Sequence, residues 1–351
     1  MVSILADTCD ARRKRTHYSQ VHKPVTLSHE NTYQTTKSHS VLRLTEVHLG
    51  CIVSCTMSAQ SLDRAILHAL AYADVFDYPL TAQEIRRYLP GREATLEEIE
   101  RTLGEGETAA TVGKYFMLPG REQIASVRRR REAVAARLWP RAARYGFILA
   151  SLPFVRMVAV TGSLAVGNTE EGKDIDYMIV TAPGFVWTCR AMALIVTRVA
   201  RLERVNLCPN YIVSLETLEL SDRSSYVAHE LAQMIPLSGR EVCERMRRLN
   251  AWADDYLPNA KTVLDVPKMV GGMGLGFWFQ QILERILRFL PVSHFERYEM
   301  ERKIRKLARE QGDSREAYFS ADICKGHADR HRERTESELD RRLALLDREL
   351  G

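Results

Sequence analysis

The stretch "VAVTGSLAVGNTEEGKDIDYMIV" (Val158–Val180) holds two apolar runs separated by a polar segment that contains several small residues. The second run carries two aspartates, Asp174 and Asp176, with Ile175 between them. A buried carboxylate is costly unless a positive group meets it. Residues two apart in an extended chain point to the same face, so the pair presents its oxygens to one point. This arrangement suits a metal ion.

The first apolar run ends at Gly162-Ser163. Because Gly162 has no side chain, backbone amides at this point can approach an anion closely. Ser163 opens a short stretch with helical character, where free amides and the helix dipole favour negative charge. The pair therefore predicts a phosphate-binding turn directly before the two aspartates.

A strand, a Gly-Ser pair, ten intervening residues and a strand with Asp-x-Asp resemble the nucleotidyltransferase superfamily that includes DNA polymerase beta. The resemblance covers roughly residues 138–220, and it extends to bacterial nucleotidyltransferase-domain proteins in which a winged helix precedes the catalytic domain. It implies an α+β fold with a mixed sheet flanked by helices. The catalytic domain is expected over 121–220.

The resemblance also implies roles for these residues. Gly162 and Ser163 bind the phosphates of a nucleoside triphosphate such as ATP, and Asp174 and Asp176 hold Mg²⁺ or Mn²⁺. The implied activity is transfer of a nucleoside monophosphate to a hydroxyl of a protein, an RNA or a small molecule. A plain turn, with the aspartates capping a loop, is the structural alternative.

Two other classes of function stay open beside this enzyme. One is a DNA-binding regulator that only senses nucleotide, and the other is a toxin-antitoxin-like interaction protein with a weakened site. Retention of Gly162-Ser163 and of both Asp174 and Asp176 favours the enzyme.

The family normally supplies a third carboxylate from a neighbouring strand, and the next strand candidate is "LCPNYIVSLETLEL" (Leu207–Leu220). Strand alternation places Asn210 and Glu216 on one face, so Glu216 is the acid expected to reach the metal. A solvated glutamate at the strand end is equally consistent with the pattern. If Asn210 occupies the third position instead, activation of the acceptor hydroxyl is weak.

The N-terminal part of the chain divides at about Met57. Residues 1–56 are aperiodic and rich in Ser, Thr and His, which predicts a disordered or non-native extension, with Met57 as the alternative start. Residues 57–120 show three short helices, two of which open with a capping box, and then a hairpin pattern. This order resembles a winged-helix domain.

The third of these helices, within "TLEEIERTLGEGE" (Thr95–Glu107), carries five glutamates and one arginine. Such a helix repels DNA phosphates, so protein packing is favoured over DNA reading. Four arginines follow at Arg128–Arg131, and they predict either a solvated helix face or a phosphate contact.

Residues 221–351 read as a helical C-terminal region. An apolar stripe between Phe279 and Leu290 predicts packing on the catalytic domain or on a second subunit, as in a homo-oligomer. His229 and Lys325 are further side chains within potential reach of a nucleotide. Nothing in their spacing requires that role.

The composition agrees with a folded cytoplasmic protein. The chain has 351 residues, 45% of them hydrophobic and 27% charged, with a net charge of +5. Seven cysteines without a C-x-x-C pair argue against a disulfide framework and a zinc site. Charged residues interrupt every apolar run before membrane-spanning length, and no signal-peptide pattern opens the sequence, so no membrane partner is expected.

Overall fold

The computed structural model describes residues 61–106, 109–267, 276–287, 292–310, 318–326 and 331–350. The predicted extension 1–56, together with Met57, lies outside the described residues.

Three helices and a hairpin form the N-terminal region, in the predicted order. Both predicted capping boxes are confirmed: Thr81 accepts from the amide of Glu84, and Thr95 from that of Glu98, while each glutamate bonds back to the threonine amide. The elements are α1 (Leu62–Asp74), α2 (Ala82–Arg87), α3 (Leu96–Glu105), β1 (Ala110–Val112) and β2 (Tyr115–Met117).

The centre of the protein is a mixed six-stranded sheet of order β6-β3-β4-β5-β8-β7. Strands β4 and β5 run parallel, and every other neighbouring pair is antiparallel. The strands are β3 (Val155–Thr161), β4 (Ile175–Thr181), β5 (Leu207–Ser214), β6 (Ile235–Ser238), β7 (Tyr318–Phe319) and β8 (Ile323–Lys325). This sheet confirms the predicted α+β class.

Helices cover both faces of the sheet. Val158 and Val160 of β3 face a core shared with α4 (Ile124–Ala150) and α6 (Val186–Leu202). On the other face Met157 and Ala159 pack in a core shared with α7 (Ser225–Gln233) and α8 (Arg240–Leu249). The middle of β3 is therefore buried on both sides, which explains the uninterrupted apolar run over residues 157–160.

The C-terminal region adds strands to the helices that its sequence predicted. The segment "PLSG", which follows α7, lies largely in β6, and β7 and β8 complete the other edge of the sheet. A short helix α5 (Gly162–Ala165) follows β3, and the remaining helices are α9 (Ala253–Tyr256), α10 (Gly276–Leu287), α11 (Val292–Glu310) and α12 (His331–Leu350). Within the described residues, no helix combines the length and the apolar character that a membrane span needs.

The predicted basic run begins with an internal arginine. Arg128 on α4 is buried, and its two terminal nitrogens each donate to Glu84 of α2 at 2.8 Å. Its Nε donates to Glu132, and the guanidinium lies 4.2 Å from the Tyr78 ring centroid and 4.9 Å from that of Tyr115. Arg128 therefore ties the N-terminal region to α4, and is neither a solvated residue nor a phosphate contact.

We expect Glu84→Gln to destabilise the protein by about 3 kcal/mol, because removing one partner of a buried ion pair leaves the other charge uncompensated. Urea unfolding measures the loss. Glu203→Gln is the matched control, since Glu203 pairs with Arg144 in the exposed setting where ion pairs contribute about 0–1 kcal/mol. Equal losses in the two variants would contradict the role given to Arg128.

Candidate functional site

The Gly162 turn and the Asp176 carboxylate are in direct contact. Gly162 has φ 64°, a left-handed conformation that favours glycine, and a Cβ added there would lie 2.8 Å from Asp176 Oδ2. Glycine is thus required here both by the backbone and by the space that the carboxylate takes. The sequence indicates only the approach of a phosphate as the reason for the glycine at position 162, and the structure adds the positive φ and the nearby carboxylate as reasons. Helix α5 spans four residues, so the turn offers an anion its amides and little helix dipole.

Asp174 and Asp176 lie together at the start of β4. Asp174 is exposed and precedes the strand, whereas Asp176 is half-buried and stands opposite Thr161 of β3. On its other side Asp176 pairs with Cys208 of β5, and the Asn210 side-chain amide donates to its Oδ1 at 3.1 Å. The structure therefore brings Gly162, Asp174 and Asp176 together, with Asn210 beside them.

Glu216 lies at the wrong end of the sheet for the predicted role. Since β4 and β5 are parallel, Asp176 pairs with the start of β5, while Ser214 at its end pairs with Thr181. Glu216 is exposed two residues beyond Ser214, roughly 20 Å of strand away from Asp176. The structure therefore does not bring Glu216 to the two aspartates as predicted, because strand alternation fixes the face of a residue and not the end of the strand.

A different acid approaches the site from α7. This helix packs against α5, and it ends just before β6, whose Ile235 pairs with Val160 near the end of β3. Glu230 is half-buried on α7. Its negative charge raises the pKa of Asp176, and the charge of Asp174 does so to a smaller extent. Sequence reasoning missed Glu230, since only tertiary packing sets this helix beside the turn.

Two other side chains singled out by the sequence have distinct positions. His229 is buried, and its ring stacks on that of Tyr72 at 3.7 Å between centroids, so it belongs to the core. Lys325 ends β8 opposite Tyr211 of β5, and its charge acts on Glu230. The Lys325 ammonium group is therefore close enough to the carboxyl groups for its charge to lower the pKa of Glu230.

Two carboxyl groups at this end of the strands, those of Asp176 and Glu230, have raised pKa values. Burial, followed by the charges of Glu230 and Asp174, raises the pKa of Asp176 to about 7. Burial likewise raises the pKa of Glu230 to about 7, and Lys325 opposes this shift. Negative charge is thus disfavoured in the free protein, and a bound cation would relieve that cost.

The donor set can be compared with what a metal ion needs. No group of three His, Cys, Asp or Glu side chains among the described residues could hold a metal ion. Mg²⁺ commonly binds through one or two carboxylates and completes its shell with water and substrate phosphates. Asp174 and Asp176 fit such a shared site, in which a substrate phosphate would bring part of the coordination.

Comparison with known proteins does not assign the chain to a family. No family model and no curated protein matches the chain. Among solved structures, a toxin-antitoxin crystal structure with AMP-PNP matches at 16% identity and a TM-score of 0.23, over 32% of this chain and 82% of that one. A likeness of this size defines no shared fold.

The raised pKa of Asp176 predicts a pH dependence of stability. An acid whose pKa rises on folding makes the folded state bind more protons, so stability falls as pH increases from about 4 towards 7. Asp176→Asn should remove this contribution and be more stable than wild type at pH 8 without divalent metal. Melting temperatures of both proteins in EDTA at pH 5 and pH 8 measure the effect. Parallel pH curves would contradict it.

Proposed function

We propose that the protein is a metal-dependent nucleotidyltransferase that moves a nucleoside monophosphate from a nucleoside triphosphate to a hydroxyl acceptor. The observation that carries this proposal is the contact between the glycine turn and the carboxylate pair. Gly162 lies against Asp176 Oδ2, and Asp174 shares the same end of β4. A phosphate at the turn and a cation at the aspartates would be neighbours.

The electrostatics of the site support a cationic ligand. Burial raises the pKa of both Asp176 and Glu230, so their charged forms are costly in the free protein and a bound cation would offset that cost. In the proposed complex Asp174 and Asp176 hold Mg²⁺ or Mn²⁺. The ion supplies electrostatic stabilisation of the charge on the transferred phosphate.

The chain's own residues then have separate tasks. The amides at Gly162 and Ser163 hold the triphosphate, and the Asn210 amide fixes the rotamer of Asp176 through its bond to Oδ1. The acceptor oxygen forms a bond to the α-phosphorus as the bond to the bridging oxygen breaks, and pyrophosphate leaves with that electron pair. In this proposal Glu230 takes the hydroxyl proton, since a carboxyl group whose pKa is raised to about 7 suits a general base.

The acceptor class is open among protein, RNA and small molecule. Incubating the protein with α-labelled nucleoside triphosphates, Mg²⁺ or Mn²⁺ and a lysate tests the proposal, because a labelled acceptor and released pyrophosphate are both expected. Metal-dependent nucleotide binding without transfer would instead favour the nucleotide-sensing regulator. If no molecule in the lysate becomes labelled and the protein binds no nucleotide, the result would favour the toxin-antitoxin-like interaction protein.

Removal of either aspartate should abolish the response to ligand. We expect Mg²⁺ with nucleoside triphosphate to raise the melting temperature of the wild type, as ligands bound to the folded state do. Asp174→Asn and Asp176→Asn should each lose this shift and the transfer activity. Ser163→Ala should weaken nucleotide binding only about fivefold, since one hydroxyl hydrogen bond contributes about 1 kcal/mol. A full thermal shift in both aspartate variants would refute the metal site.

Glu230 and Glu216 can be told apart by a paired substitution. Glu230→Gln should lower kcat by about 100-fold or more while nucleotide binding persists, as loss of a general base does. Glu216→Gln is the matched control and should keep full activity, because Glu216 lies at the far end of β5. Transfer assays and nucleotide titrations on both variants measure this. The reverse outcome would restore Glu216 to the site.

A further inference from the structure

The loop that joins the phosphate-binding turn to the aspartates is bonded to that turn. It runs through residues 166–170, after α5. The Asn168 amide donates to the Ser163 carbonyl at 2.7 Å, and the Gly167 amide donates to that of Leu164 at 3.1 Å. Thr169, next in the chain, is fully buried. The position of this loop and the position of Ser163 are therefore coupled.

The N-terminal region holds the same loop through the turn that follows α1. The Asn168 side chain donates to the Phe76 carbonyl at 3.1 Å. The Tyr78 hydroxyl lies 2.6 Å from the Val166 carbonyl and 2.7 Å from Glu84 Oε1, so one proton serves two acceptors. Residues about 90 positions apart in sequence thus meet across this contact.

Arg131 on α4 forms the second anchor. It donates to Phe76 O at 3.0 Å and to Asn168 Oδ1 at 3.1 Å, which joins the N-terminal turn to the loop. Its Nη2 also pairs with Glu170 at 2.6 Å. Arg131 is the last member of the predicted basic run, and like Arg128 it is used inside the protein.

We propose that the N-terminal region is a positioning element of the nucleotide site, with Tyr78, Arg131 and Asn168 holding the 166–170 loop so that Ser163 is set for phosphate. This inference rests on the proposed function for its ligand. The claim that the N-terminal region fixes the 166–170 loop concerns the protein without ligand and does not depend on the proposed function. The N-terminal region acts through the loop, and Tyr78 and Arg131 are positioning residues rather than catalytic ones.

The physical reason is preorganisation. Ordering a loop residue costs about 1–2 kcal/mol of backbone entropy, and a loop already fixed by hydrogen bonds does not bear this cost again when ligand binds. Loosening the anchors transfers part of the cost to nucleotide binding. Nucleotide affinity should therefore fall even in variants that remain folded.

Two variants and one control test this inference. Asn168→Ala removes the bond to Phe76 and leaves the Arg128 cluster intact, while Tyr78→Phe removes the hydroxyl at Val166. Tyr115→Phe is the matched control, because its hydroxyl donates to Glu132 at 2.7 Å in the same region. Hydrogen exchange of residues 163–170 in the free proteins reports loop fixation. Titration with the best-binding of the four Mg²⁺-nucleoside triphosphates, well below the melting temperature, reports affinity.

We expect faster exchange at 163–170 and an about fivefold higher Kd in Asn168→Ala and Tyr78→Phe, the effect of about one hydrogen bond, with no change in Tyr115→Phe. A purely structural role would lower the melting temperature and leave Kd unaltered. Unchanged exchange, or faster exchange with unchanged Kd, overturns the inference. Failure of the wild type to bind nucleotide overturns the proposed function instead, and hydrogen exchange still decides whether the N-terminal region fixes the loop.

Discussion

The contact between Gly162 and Asp176 is the constraint on which the site depends. Pairing of Thr161 with Asp176 brings the end of β3 to the start of β4, and the chain must turn sharply just there. A positive φ at Gly162 makes the turn, and the missing Cβ leaves room for the carboxylate. Any side chain at position 162 would strain the backbone and push against Asp176 at once. The turn and the acid therefore form one unit.

The charged side chains around the start of β4 come from three separate parts of the fold. Asp174 directly precedes β4 and Asp176 lies in it, helix α7 contributes Glu230, and strand β8 contributes Lys325. Burial raises the pKa of Asp176 and of Glu230, and the charges of Glu230 and Asp174 raise that of Asp176 further, so the charged forms are costly in the free protein. Groups of this kind concentrate at functional sites, where the cost is offset by ligand binding.

Two arginines of α4 form inward ion pairs, while helix α3 of the N-terminal region presents acids to solvent. Arg128 and Arg131, which in sequence resemble a phosphate-binding run, pair with Glu84, Glu132 and Glu170. The glutamates of α3 include exposed ones, at positions 97, 100 and 105, so this helix presents negative charge to solvent. Such a surface opposes a DNA backbone, whereas the inward contacts link the N-terminal region to the 166–170 loop.

The sequence by itself determined the strand-turn-strand unit, the two capping boxes and the nearness of Gly162 to the aspartates, because local spacing governs all of these. Tertiary structure decided which third acid approaches Asp176. Parallel pairing of β4 with β5 carries Glu216 away, and packing of α7 on α5 brings Glu230 in. The alternation of side chains along one strand predicts only the face of the sheet on which a residue lies. Which end of a strand meets which helix depends on contacts between residues far apart in the chain, and local pattern carries no record of them.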